Sequence, residues 1–201
     1  RKGNVVTGKS LVRDTIALVQ EKMKSRDWDE PARNASHSDA GGELKTKVAE
    51  AVGVSALKYS ILKQSTGGDI MYDFEKSISF EGDSGPYLQY SYARANSVIE
   101  KSKRENILPD PHAFGVEVFE LEKLLYKFPE VVARSAKEYE PHYIANYLIE
   151  VARSYNSFYA NNIIVDKTDA ASPYKITLTY AFSFVMKTGL HLLGIQAPAK
   201  M

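Results

Sequence analysis

Ser79-Phe80-Glu81-Gly82-Asp83-Ser84-Gly85-Pro86-Tyr87-Leu88-Gln89-Tyr90 runs from a turn-rich loop straight into a helix. Pro86 marks the first helical turn, where the amide that proline lacks would have no intrahelical partner. The helix is predicted from about Pro86 to Arg104. On it, Tyr87, Tyr90 and Arg94 fall near one face, and Leu88, Tyr92, Ala95 and Ile99 near another, so one aromatic face belongs to a core and the other is free to meet a ligand. Glu81 and Asp83 have the residue types of an acid–base pair, but carboxylates on an exposed loop beside glycines stay ionised. A structural role is expected for Glu81, tying the loop or capping the helix near its positive end.

Everything after this junction reads as helical. Pro109, Pro111 and Gly115 punctuate a loop; Val116, Phe119, Leu121, Leu124, Leu125 and Phe128 then repeat at helical spacing, followed by a shorter helix over Pro129 to Tyr139. Ile144, Leu148, Val151, Tyr155, Phe158 and Tyr159 mark a long helix beginning at Pro141, and Leu178, Ala181, Phe182, Val185, Leu192 and Leu193 mark the last one. Before the junction the pattern is looser. Ser10 is the expected N-cap of a helix carrying Val12, Thr15, Ile16, Val19 and Met23, and the polar stretch from Ser25 to Gly42 reads as a long, mobile loop. Two helices, Glu43 to Val52 and Val54 to Lys63, are expected on either side of a break at Gly53. Alternation of Ile70, Tyr72 and Phe74 gives a weak strand signature. The expected fold class is all-α, a helical bundle.

Composition narrows the function. The chain has 201 residues, 44% of them hydrophobic, enough to build a substantial core. It contains no cysteine, which removes thiolate metal sites, disulfides and cysteine nucleophiles. His37, His112, His142 and His191 are scattered without ligand spacing, so no metal site is expected. No apolar run is long enough to span a bilayer and no leader pattern is present, so the expected location is the cytoplasm, with no membrane partner. Twenty-six basic and 25 acidic residues leave a net charge of +1. Generic phosphate binders carry a clear basic excess, so DNA is not an expected partner and any RNA contact must be local and shaped.

The junction string resembles the one found in arginyl-tRNA synthetases between the catalytic half and the helical anticodon-binding domain. Two further strings match in order: Arg1-Lys2-Gly3-Asn4-Val5-Val6-Thr7 at the start, and Gly189-Leu190-His191-Leu192-Leu193-Gly194-Ile195-Gln196-Ala197-Pro198-Ala199-Lys200-Met201 at the end. The resemblance spans essentially the whole chain. It implies that residues 1–84 are the end of a catalytic region plus a helical stem-contact segment, and that residues 85–201 form a helical bundle of the class I synthetase anticodon-binding type. The Asp-Ala-Leu-Arg string that gives such domains their name is absent; Tyr92-Ala93-Arg94 echoes it in composition only.

The same resemblance implies the chemistry. Arg1 and Lys2 trail the loop that stabilises ATP in such enzymes, while the signature of that loop, the His-Ile-Gly-His type motif and the arginine pocket are missing from this sequence. A full-length enzyme would use ATP and Mg to attach arginine to its tRNA; this piece alone is expected to bind neither and to be inactive. Its expected partner is the tRNA for arginine, bound by a monomer. Tyr159, within Asn156-Ser157-Phe158-Tyr159, and the terminal Met201 correspond to anticodon-facing residues, and Tyr87, Gln89, Arg94 and Lys101 complete the expected tRNA-binding set. Ala199 stands where the family usually has an acidic residue. Arg94 and Lys101, seven residues apart, share a helix face; Arg153, Lys175, Lys187 and Lys200 are further candidates for phosphate contact. Two rival readings are a stand-alone anticodon-binding-like module for RNA or protein, and a plain helical scaffold.

Overall fold

A computed structural model describes residues 7–25, 39–70, 72–112 and 118–201, the side chains of 23–25 and 39–44 excepted. The described residues form eight α-helices and no strand: α1 (Gly8–Ser25), α2 (Asp39–Leu62), α3 (Phe74–Ser77), α4 (Gly85–Arg104), α5 (Glu120–Tyr126), α6 (Phe128–Glu138), α7 (His142–Asn161) and α8 (Ser172–Leu192). None is long and apolar enough to cross a membrane.

The main core lies between α4, α7 and α8, with α5 and α6 laid on α7. Tyr155 and Phe182 stack there face to face, ring centroids 3.9 Å apart and planes 8° from parallel, both fully buried. Gly189 lets α8 approach α7 closely, since a Cβ on it would sit 2.6 Å from a Leu148 methyl. A smaller core joins α1 to α2 through Val19, Ala49, Val52, Ala56 and Ile78.

The junction loop is built by Ser84 and Asp83. Ser84 is the N-cap of α4, its Oγ accepting from the Tyr87 amide at 3.1 Å and donating to the Ser79 carbonyl, with Pro86 inside the first turn. Asp83 accepts from the Tyr59 hydroxyl and from Lys63 Nζ at 3.2 Å, tying the loop to α2. Burial, and then the Asp83 carboxylate, push the Tyr59 phenol far up, so it stays a donor. The role expected of Glu81 therefore falls to its neighbours; Glu81 itself is exposed, and its amide donates to Ser79 Oγ. Ser84→Ala is expected to lower stability by about 1 kcal/mol, within the ~0.5–2 kcal/mol of a lost cap. Urea unfolding followed by circular dichroism measures this; an unchanged midpoint would remove Ser84 from the capping role.

Four expectations about the first part of the chain change. Helix α2 is continuous through Gly53, because the glycine serves helix packing instead of termination: a Cβ there would meet Ile16 Cγ1 of α1 at 2.7 Å. It also starts at Asp39, which leaves only residues 26–38 of the expected loop, all outside the described residues. Thr7, not Ser10, caps α1, its Oγ1 accepting from the Ser10 amide at 3.1 Å. The alternation at 70–74 is not a strand. Tyr72 instead meets Thr15 of α1 through its hydroxyl at 3.1 Å and packs edge-to-face on Phe74, which opens α3.

The last residues are fastened from two sides. Gly194, at φ +65, turns the chain out of α8, and its carbonyl accepts from Lys58 Nζ of α2. Gln89 of α4 donates through Nε2 to the Ala51 carbonyl at 3.2 Å and to the Gln196 carbonyl at 2.7 Å.

Candidate functional site

Helices α4 and α7 carry the constellation richest in surface chemistry. The Arg94 guanidinium lies between two phenol rings, 4.8 Å from the Tyr90 centroid and 4.9 Å from that of Tyr159. Its Nη1 donates to Asn156 Oδ1 at 2.5 Å, and the amide nitrogen of Asn156 donates in turn to the Tyr87 hydroxyl at 2.8 Å and to Ser91 Oγ at 2.9 Å. The helical period explains the gathering: Tyr87, Tyr90, Ser91 and Arg94 are three or four residues apart on α4, and Asn156 and Tyr159 are three apart on α7.

The guanidinium is always charged and weakly hydrated, and the rings hold it by cation–π attraction of about 0.5–1 kcal/mol each at such exposed sites. Tyr90 is 39% exposed and Tyr159 41%, so both rings present surface to solvent while the cation between them is already oriented. Beneath them, the Tyr155 ring lies 6.5 Å from Tyr159 and is anchored by Phe182. Burial pushes the Tyr155 phenol up, so it adds no charge. Phe80 of the junction loop meets Tyr90 edge-on at 6.5 Å. Two half-exposed π-faces around a fixed cation suit a flat, electron-rich group carrying negative charge nearby, as an unstacked nucleotide does.

Tyr87, Arg94 and Tyr159, expected from the sequence as tRNA contacts, thus share one network. Gln89 does not belong with them: it is fully buried, its amide nitrogen is spent on Ala51 and Gln196, and it presents no atom to solvent. This corrects the expectation, and the cause is α2, which covers that side of α4. Lys101 is exposed two turns beyond Arg94. Met201 packs partly buried on the α1–α2 core, near the cluster that also takes Phe80. Lys175 is committed internally, to Asp169 at 2.8 Å and the Ile163 carbonyl at 3.3 Å. Arg1 and Lys2 lie outside the described residues. Asn156 and Ser91 escaped the sequence reading; Asn156 stood in the quoted string, yet nothing in its type announced that it would orient Arg94. Among the described residues no three of His, Asp and Glu gather to hold a metal ion.

The family described as DALR anticodon binding domain matches residues 88–201, which take in α4 from Leu88 onward, α5 to α8 and all of this network except Tyr87. An arginine–tRNA ligase of Streptococcus agalactiae is 36% identical over 202 residues, covering 100% of this chain and 34% of that protein. One of Lactiplantibacillus plantarum is 34% identical over 207 residues with the same two coverages. The chain thus spans about a third of the length of the curated relatives it matches. Among solved structures, Thermus thermophilus arginyl-tRNA synthetase superposes with a TM-score of 0.78 at 25% identity over 100% of this chain and 33% of that one. The Plasmodium falciparum enzyme shares the fold at the same TM-score and 20% identity. With more than half of its residues in the match, and the helical architecture shared, this chain belongs to the DALR anticodon-binding domain family.

Proposed function

We propose that the chain is the tRNA-binding, carboxy-terminal part of an arginine–tRNA ligase and that it holds the anticodon stem-loop of the tRNA for arginine. The observation that carries this reading is the Tyr90–Arg94–Tyr159 stack, half-exposed and braced by Asn156. An anticodon is a loop of unstacked bases, and proteins read such loops by stacking them on aromatic or guanidinium planes and bonding to their edges. Tyr159 offers the stacking face, Arg94 the charge, and Tyr87 with Asn156 the scaffold that fixes both. Met201 and Lys101 extend the contact, and residues 1–84 meet the stem. The complete ligase, working as a monomer in the cytoplasm, would supply ATP, Mg and arginine chemistry from its other part.

Tyr159→Ala is the direct test. Loss of one stacking partner costs about 1–3 kcal/mol, so the variant should bind a tRNA for arginine roughly 5-fold to 150-fold more weakly than wild type. Its preference over an anticodon-swapped transcript should shrink as well. Fluorescence anisotropy with both transcripts measures this, and a folded variant that keeps wild-type affinity and preference returns Tyr159 to a packing role.

A second expectation separates binding from catalysis. The chain alone should show no arginine-dependent exchange between ATP and pyrophosphate, because positioning ATP against arginine needs a nucleotide-binding site that the proposal assigns to the rest of the ligase. Exchange above background in the purified chain would overturn that division of labour.

A further inference from the structure

On the side of α4 turned away from Arg94 lies a groove of about 840 Å³, closed by α8 and by the tail at Ala199 and Lys200. Its volume falls in the range of about 300–1,000 Å³ usual for ligand clefts. The site described above accounts for none of it.

The lining has a chemistry of its own. Arg104, Lys187 and Lys200 are exposed and form no ion pair among the described residues, while the fourth cation, Lys103, is paired with Glu100 at 2.8 Å. Counting the lining residues alone, four cations face one carboxylate, Glu100, an excess of about +3 beside which Glu105, next to Arg104, is the nearest further acid, in a chain whose total is +1. Phe184 stands on the rim, 70% exposed, a large ring with no packing duty that explains its place on the outer face of α8. At the floor, Ser183 Oγ donates to Asn96 Oδ1 at 3.1 Å, and the Asn96 amide nitrogen is buried with no partner, an unmet donor where native proteins leave few.

Unpaired cations beside an idle aromatic face are the parts from which proteins assemble a site for single-stranded nucleic acid. We propose that the α4–α8 groove is a second RNA site, separate from the Arg94 stack, in which Phe184 stacks one unpaired base and Arg104, Lys187 and Lys200 hold the adjoining phosphates. An acidic peptide would satisfy the cations but leave the exposed Phe184 ring without a stacking partner. The inference rests on the reading of the chain as an RNA-binding module.

The test uses the chain with a tRNA for arginine and an anticodon-swapped transcript, in three variants whose changed side chains are partly or fully exposed: Phe184→Ala, Arg104→Ala/Lys187→Ala and Tyr159→Ala. Phe184→Ala is expected to weaken binding of both transcripts alike, by roughly 5-fold to 150-fold. The double variant should weaken both and reduce the slope of log affinity against log salt by roughly 1–2. Tyr159→Ala should instead change the ratio between transcripts. Wild-type affinity and slope in both groove variants, each with an unchanged circular dichroism spectrum, would overturn the groove proposal while leaving the Tyr159 result standing. Weakening by the double variant alone would reveal a surface field without a stacked base and would overturn it too. Failure of the wild-type chain to bind either transcript would sink the functional reading itself, and the groove with it.

Discussion

Phe182→Ala is expected to destabilise the chain by about 3–5 kcal/mol, the cost of removing a fully buried aromatic ring and leaving a cavity. Phe182 has no exposed surface and lies 3.9 Å from Tyr155 in a nearly parallel stack, so its removal leaves the buried face of the Tyr155 ring without its stacking partner. For a domain of this size each kcal/mol moves the melting temperature by about 2–4 °C, which puts the shift at roughly 6–20 °C. Phe182→Leu, which refills most of the volume, should cost far less. The consequence reaches the surface. Tyr155 supports Tyr159 one turn further along α7, so the alanine variant, while still folded at low temperature, should also bind tRNA more weakly. Thermal and urea unfolding of both variants check the first claim; a loss under 1 kcal/mol for alanine would mean that the stack is not the joint between α7 and α8.

Gly85→Ala is the second large effect, and it acts by intrusion instead of loss. A Cβ at Gly85 would lie 2.4 Å from Ser55 Oγ and 2.5 Å from the Ser55 carbonyl oxygen, distances that force α2 away from the start of α4. Overpacking of this kind costs about 1–3 kcal/mol and occasionally more; contact with backbone, which cannot rotate aside, argues for the upper end. The double variant separates the hydroxyl contact from the backbone contact. Ser55 Oγ is buried without a hydrogen-bond partner, so Ser55→Ala alone should be close to neutral. It should nevertheless fail to rescue Gly85→Ala, because the carbonyl remains in the way. Full rescue in urea unfolding would show that the hydroxyl, and not the backbone, sets the approach of α2 to α4.

How legible this was depended on where periodicity sufficed. Helices α4, α7 and α8 could be read from the spacing of their apolar residues, and the start of α4 from Pro86, because local chemistry and tertiary packing agree there. Gly53 misled because a glycine that ends a helix and a glycine that admits a neighbouring helix look alike in one dimension; only the contact with Ile16 separates them. Tyr72 and Phe74 alternate like strand residues, yet their partners are Thr15 and each other. The site divides in the same way. Tyr87 and Arg94 share a face by arithmetic on the helix, and Tyr159 joins them across a helix pair that the spacing within one helix cannot reveal. Gln89 was misjudged because nothing local states that α2 covers its side of α4.

The fastening of the tail makes a clasp of the last residues. Gly194 is held by Lys58 of α2, and Gln196 by Gln89 of α4, whose amide also reaches Ala51 of α2, so the tail spans the seam between α2 and α4 although it issues from α8. Met201 then rests on the α1–α2 core, as a third mooring. A tilt of α1 and α2 against α4 would therefore pull Gly194 and Met201 one way while Gln89 holds Gln196 in place, so the tail acts as a clasp that resists separation of the first helices from the bundle.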